Sequence, residues 1–524
     1  MDYWSKAVET RDQLVLFPTR LDDVIGLDHP VRMLDKILGR LNWSTWEQGY
    51  NLHRGQPPIH PRVLAGVILY GLMKRLRSSR ALEEALIVRN DFRWLVEGRT
   101  IDHSTLSEFR RQHGSCLKKL FVQVGLVARE AGLLTLEQLA FDGTRIRANN
   151  RRSGVRTPED LRKWRAELAE EYSKREQRMS DEDTREAALG ALSALDTAEL
   201  QRRIATIDAA LAELDRVEQA GETIPSRIPL TDPQSRVTPN KEGGFAPNYT
   251  PLATVDTSTG LIVACDVIAM TNEEQSLMGQ LAAVEQDFGL SSPVPEVLAD
   301  GMMASGLNLA LLEKRQITLY SPSKQADPAT NPARRSDLTQ PVPPEKWDAL
   351  PAQKSKSSKG DEVRGQLTKD AFVYDANHDC YWCPQGQSLP LATTSTEKFV
   401  TGNQVRRRYK SDATTCATCP LRARCLKKDA KQREISRFEY DHLQEKLALR
   451  MATPEAQKKY ARRRHVAERP FAMIKHHYGA RRFLLRGLDR VRQEWCWLAT
   501  AFNLDRLMSL LHNRAGPSAA TVAR

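Results

Sequence analysis

The sequence predicts a mixed α/β protein built from several units, and three observations carry that prediction. Apolar residues recur at helical spacing near both ends of the chain, short apolar runs in its middle close on acids or turns, and a cysteine-bearing segment interrupts the second half. At 524 residues the chain exceeds one ordinary core and divides into three to five structural units. Lys and Arg (78) outnumber Asp and Glu (66), a formal charge of +12, which favours a polyanionic partner through phosphate neutralisation. The opening MDYWSKAVETRDQ carries no apolar signal core, and the longest apolar run, Val63 to Met73, has 11 residues where a membrane span needs about 20. Cytoplasmic localisation follows as an expectation. Of eight cysteines in a reducing compartment, those that cluster point to metal. No GxxxxGK[ST] motif occurs, which argues against an ATP-driven motor.

In order along the chain, residues 1–130 read as a helical domain, with helical spacing in HPRVLAGVILYGLMKRL, SSRALEEALIV and STLSEFRRQHGSCLKKLFVQVGLVAREAGLL. Asp102-His103-Ser104 invites a proton-relay reading, but three adjacent residues cannot align that way. They fit a helix start instead, with Thr105 and Glu108 as a capping box. Leu139 to Phe141 is a short strand ending on Asp142 and Gly143. Residues 151–231 form a helical insertion: Thr157-Pro158-Glu159-Asp160 starts it, and Leu200, Ile204, Ile207, Leu211 and Leu214 sit at coiled-coil spacing. NYTPLATVDTSTGLIVACDVIAM reads as a β-hairpin turning at Asp256 to Gly260. A helix from Glu273 to about Phe288, a strand Val297 to Ala299 closing on Asp300, a helix Leu307 to Lys314 and a strand Ile317 to Tyr320 follow. Residues 322–365, rich in Pro, Ser, Lys and Asp, suit a mobile linker, and the cysteine segment spans 371–436. Helical pattern returns from Pro454 to Asn513, and 514–524 form a tail. The units are therefore 1–130; a core assembled from 131–150, 232–325 and 446–513; the insertion 151–231; a linker and cysteine-rich insertion, 326–445; and the tail.

Two divalent ions acting on a phosphodiester need carboxylates that hold them about 3.5 to 4 Å apart. Asp142 and Asp300 each close a strand, and Glu468 lies on a basic helix. If the two strands are neighbours, their ends and one flanking helix converge. At 100° per residue Arg464 lies about 40° and Lys475 about 20° from Glu468, so the three share a helix face. Taken singly, each acid also fits a turn, a cap or a solvated salt-bridge helix.

The motifs together change that balance. HRGQPPIHPRVLAGVILYG, SSRALEEA and RTIDHSTLSEFRR near the start, AFDGTRIRANN, NYTPLATVDTSTGLIV and VLADGMMASGLNLALLE in the middle, and RHVAERPFAMIK with the EW…FNLDRL ending resemble bacterial insertion-sequence transposases of the DDE class, in the family's order. The resemblance covers nearly the whole chain. It implies a ribonuclease-H-like core, an Mg²⁺- or Mn²⁺-binding triad of Asp142, Asp300 and Glu468, and DNA-gripping roles for Arg464 and Lys475 from a Tyr-Arg-Glu-Lys signature. Tyr460 lies eight residues before Glu468 where that signature has seven, and so falls outside the expected set.

Cys380-x2-Cys383, then after 32 residues Cys416-x2-Cys419-x5-Cys425, places five thiols within 46 positions. Two CxxC pairs suit tetrahedral Zn²⁺, although the usual gap between pairs is shorter, and buried unligated thiols are the competing reading. The family pattern YWCPQG…CATCPLRARC favours Cys383, Cys416, Cys419 and Cys425 as the zinc set and leaves Cys380 as a spare. Cys116, Cys265 and Cys496 sit in apolar surroundings and read as packing residues.

The implied activity is cleavage at the terminal inverted repeats of an element and transfer of the freed 3′-hydroxyl strand into target DNA, by a homodimer on double-stranded DNA. Two rivals stay open: a plain metal-dependent nuclease on the same core, and a non-catalytic, zinc-stapled DNA-binding repressor.

Overall fold

The structure is a computed structural model that describes residues 20–50, 57–150, 154–182, 189–239, 243–270, 273–323, 325–356, 362–399 and 402–514. The expected tail lies outside them apart from Arg514. The N-terminal helices include α1 (Pro30–Gly39), α2 (Pro61–Met73), α3 (Ser79–Val88), α4 (His103–Gln112) and α5 (Gly114–Glu130). Both α1 and α2 start on proline at N1, where the missing N–H costs nothing, and each is capped by the histidine before it. The run from Val63 to Met73 is buried throughout, as its length and apolarity require. Helix α4 is capped by Asp102, whose carboxylate accepts from Thr105 N at 2.8 Å. The cap therefore falls three residues before the expected Thr105, and Glu108 bonds Arg111 instead of closing a capping box.

The core sheet contains β1 (Gln138–Gly143), followed, beyond the helical insertion, by β2 (Phe245–Asp256), β3 (Ile262–Ile268), β4 (Glu296–Leu298) and β5 (Thr318–Tyr320). Their order is β3-β2-β1-β4-β5. The β3–β2 and β2–β1 pairings are antiparallel, while β1, β4 and β5 are mutually parallel. Buried Asp256 ends β2 and holds the hairpin turn by accepting from Thr259 N at 2.9 Å. Helix α6 (Pro158–Glu182) packs against α7 (Leu189–Gln219) through Leu161, Leu168, Leu200, Ile207 and Leu214, the last three at the predicted spacing. A buried Arg236–Glu213 pair at 2.8 Å ties this insertion to the short strand that pairs with β2.

Between β3 and β4 runs α8 (Ser276–Asp287), which begins three residues after the expected Glu273; α9 (Gly306–Lys314) precedes β5. The cysteine unit is a five-stranded meander: β6 (Val373–Asp375), β7 (Cys380–Trp382), β8 (Ser388–Phe399), β9 (Gly402–Lys410) and β10 (Glu434–Phe438). The described part of the expected linker packs on this unit. Ala333, Val342 and Leu350 enter its core, Val342 N donates to Pro384 O, and Arg335 donates to Cys383 O. Polar composition there reflects a chain satisfied by local turns, not one lacking contacts. Helices α10 (Asp441–Met451), α11 (Pro454–Ala472) and α12 (Leu488–Arg514) complete the core.

The two sheet faces are covered by different helices. Alternation along the strands turns Ala140, Leu298 and Tyr320 to one face, where they meet Ala456, Tyr460 and Ala467 of α11. The other face joins the main core shared with α5 and α12. There Asn503 of α12 clamps β3 through both Ile262 N and Ile262 O, and Trp495 donates to Leu252 O. Helix α11 is thereby fixed above the ends of β1 and β4.

Candidate active site and cysteine cluster

Strand register sets the two aspartates side by side. In the parallel pair of β1 and β4, Ala140 stands opposite Leu298. Asp142 and Asp300 each lie two residues further along (142 − 140 and 300 − 298), so Asp142, still paired with Ala253 of β2, and Asp300, just past the end of β4, stand at the C-terminal ends of neighbouring strands. Asp142 accepts from the Gly143 N–H at 2.9 Å, and Asp300 from Met302 N at 2.9 Å. Glu468 rides on the exposed side of α11, near enough for its charge to act on Asp142.

Burial raises the Asp142 carboxyl above the usual carboxylate range, against the pull of Arg463, and the charges of Asp300 and Glu468 push it the same way. Arg463 Nη2 pairs with Asp142 Oδ1 at 2.9 Å, both side chains largely buried, and Arg463 Nε is buried with no hydrogen-bond partner. Tyr460, one helical turn earlier, also belongs to this site: burial raises its hydroxyl, with Arg463, Asp300 and Asp142 as its charged neighbours. Arg464 is exposed on the helix and Arg463 is the arginine brought to the acids. The eight-residue spacing to Glu468 that sets Tyr460 aside in the sequence is thus overturned, and Arg463 is missed because the face is drawn around Glu468 alone; a wheel centred on the buried Ala456 and Ala467 points to both.

A fourth carboxylate stands here. Glu273, in the loop before α8, is pushed up to about 7 by burial first, then by Asp142 and Asp300. A Cβ at position 143 would lie 2.1 Å from its Oε2, so the glycine that follows Asp142 leaves the space this carboxylate fills.

Beside the acids runs a basic groove lined by Thr144, Arg145, Arg147, Lys475, Arg481 and Arg482. Pro470 inside α11 has no N–H to give, and the helix widens just beyond it into a π-turn, Met473–His477. That turn carries Lys475, whose Nζ bonds the Thr144 hydroxyl two residues from Asp142. His476 and His477 are exposed.

In the cysteine unit, Cys383, Cys416, Cys419 and Cys425 line one cavity. Cys383 Sγ accepts from Gln385 N and Gln387 N at 3.3 and 3.4 Å, and Ser411 Oγ lies 3.1 Å from Cys416 Sγ. Burial pushes the Cys425 thiol up to about 11, with Cys416, Cys383 and Cys419 adding to the effect. Cys380 is separate, buried on β7 with Asp375 and Asp379 as its charged neighbours. Cys265 and Cys496 are free thiols that neighbour each other between β3 and α12, and Cys116 donates to Thr45 O. Among the described residues, no group of three or more His, Cys, Asp or Glu side chains is arranged so that it could hold a metal ion as it stands.

Comparison with known proteins matches two parts of the chain. Residues 382–508 fit the family model of the transposase DDE domain, which implies a ribonuclease-H-like core. Residues 19–112 fit a second transposase domain, DUF772, and the two matches together support an insertion-sequence DDE transposase. No curated protein matches the chain. The first match includes Glu468, Arg464, Lys475 and the four clustered cysteines, while Asp142 and Asp300 lie before it.

Proposed function

We propose that the chain cuts DNA at the terminal inverted repeats of its element and joins the freed 3′-hydroxyl to target DNA, with Asp142, Asp300 and Glu468 as the catalytic acids. The observation that carries this reading is the pairing of Asp142 and Asp300 at the C-terminal ends of neighbouring strands, with Glu468 above and a cationic groove alongside. The acids fit a divalent cation: they are oxygen donors, the charges of Asp300 and Glu468 oppose ionisation of Asp142, and Arg463 pairs with Asp142. They would hold Mg²⁺ or Mn²⁺, which when bound supplies charge stabilisation and lowers the pKa of an attacking oxygen.

The protein's own groups do the positioning. Lys475, held by Thr144, and exposed Arg464 grip phosphates on either side of the acids, and Arg145, Arg147, Arg481 and Arg482 extend that grip along the groove. Water and then the 3′-hydroxyl attack in line from the same place, so one geometry serves both steps. Cys383, Cys416, Cys419 and Cys425 would hold a structural Zn²⁺: the thiols converge on one cavity, and backbone N–H groups already point at Cys383 Sγ. Two ends require synapsis, for which we propose a homodimer on double-stranded DNA. No helix among the described residues is long and apolar enough to cross a membrane, and cytoplasmic action is proposed with it.

The test is Mg²⁺-dependent cleavage and strand transfer on a duplex carrying the inverted repeats that flank the gene. Strand-transfer products separate a transposase from a plain nuclease. End binding without cleavage by the unaltered chain would replace the proposal with the repressor reading.

A further inference from the structure

Glu273 has a place that the three-acid reading does not explain. Its side chain lies over Gly143, in space that any Cβ would take, with Asp142 and Asp300 as its acidic neighbours and Arg145 and Arg463 as its cationic ones. The segment that carries it is also fixed to Asp300. The side-chain amide of Asn308, itself buried, donates to Glu274 O at 2.9 Å and to Met303 O at 3.1 Å, bridging the residue after Glu273 to the turn that follows Asp300. Ser276 N donates to Glu273 O at 2.9 Å and anchors the other side. The geometry thus holds Glu273 against the end of β1 and ties its backbone to the end of β4.

We propose that Glu273 is a fourth metal-binding carboxylate of this site, sharing a divalent cation with Asp142 and Asp300. The inference rests on the reading of those two aspartates as metal ligands. A fourth donor from a preorganised loop lets the cation settle before DNA arrives, whereas Glu468, on the exposed side of α11, closes the site from above.

Mn²⁺ titration of the DNA-free full chain by calorimetry, with thermal melts in parallel, tests it. For Glu273→Gln the affinity is expected to fall about tenfold or more. The melting temperature without metal is expected to hold or rise, because one like charge has gone, and the stabilisation by Mn²⁺ to shrink. Gly143→Ala keeps every acid but displaces the Glu273 side chain, and should weaken Mn²⁺ binding to a similar degree. Asp142→Asn separates the two readings. If it abolishes binding while Glu273→Gln binds like the unaltered chain, this inference falls alone. If Asp142→Asn binds normally, or the unaltered chain binds no Mn²⁺ at millimolar concentration, both fall. A lower melting point for Glu273→Gln with unchanged Mn²⁺ affinity would make Glu273 a structural residue and overturn the proposal.

Discussion

The acid site and the cysteine site each gather chemically like ligands whose neighbours push one member up, Asp142 in the first and Cys425 in the second, yet they are assembled in opposite ways. The acids come from two strand ends, a loop and a helix, separated in sequence by as much as 326 residues (468 − 142), and they lie beside an open basic groove. The four clustered thiols come from a strand end and two short helical turns within 43 positions (383 to 425) and line a cavity inside one small sheet unit. A site built by tertiary structure positions a metal that must meet substrate, so it keeps an open side. A site built by local turns holds a metal that has only to fix the fold. Substitution should therefore cost stability at the thiols and chemistry at the acids.

The largest effect is expected at the thiols. Cys425→Ser should remove the stoichiometric zinc found by elemental analysis and, with it, binding energy on the order of 10 kcal/mol from the folded state of the meander. The melt of that unit and its resistance to proteolysis would fall together, while Cys380→Ser, whose thiol is elsewhere, should leave zinc content unchanged. A purified chain free of zinc and indifferent to chelators would break the comparison on this side.

At the acids the expected loss is in rate. Asp142→Asn, Asp300→Asn or Glu468→Gln should each lower end cleavage by roughly 10³-fold or more, equivalent to at least about 4 kcal/mol of barrier, with affinity for the ends within about threefold of the unaltered chain by gel shift. Full activity in any one would remove that residue from the set. The neighbouring arginines sharpen the point. Arg463→Ala leaves buried Asp142 without its ion pair and should destabilise the metal-free protein by about 3 kcal/mol in urea unfolding. Arg464→Ala, on an exposed face, should cost under about 0.5 kcal/mol in stability while lowering the salt dependence of DNA binding by about one phosphate contact. The reverse pattern would restore the helix face first drawn from Glu468.

Much of this was legible in the sequence, for physical reasons that also explain what was not. Strands around Asp142 and Asp300 showed as short apolar runs, and the hairpin at Asp256–Gly260 as a turn between two of them. The register that levels the two acids did not show, because it is set by a strand pairing across more than 150 residues (298 − 140). Glu273 was hidden because an acid before a helix is ordinarily a capping or dipole residue; only its position over Gly143 marks it. Arg463 was hidden by its neighbours, since four of the six residues from Arg462 to Ala467 are cationic or histidine and sequence alone does not say which one turns inward. Residues 322–365 read as a linker because they are rich in Pro, Ser, Lys and Asp and their hydrophobic residues are sparse. Three of them, Ala333, Val342 and Leu350, are nonetheless enough to dock it.

The smallest effect is one of pH, and its sign divides the two sites again. Glu273 is raised from 4.5 to about 7 in the folded protein. Between those values the folded state keeps a proton that the unfolded chain has released, so metal-free stability is highest below about pH 4.5 and is lost as pH rises through 7. The shift corresponds to a few kcal/mol, which the partial exposure of the site reduces to on the order of 2 kcal/mol; the raised Asp142 acts with the same sign from lower pH. Urea unfolding in chelator should then show stability falling from about pH 5 to about 7.5, and Glu273→Gln should flatten that slope. Added Mn²⁺ should reverse the slope, because a cation stabilises only the deprotonated ligand and its binding strengthens as the protons leave. A slope that Mn²⁺ does not change would mean that the acids repel one another without a cation to share, and the division between an open catalytic metal and a closed structural one would lose its first half.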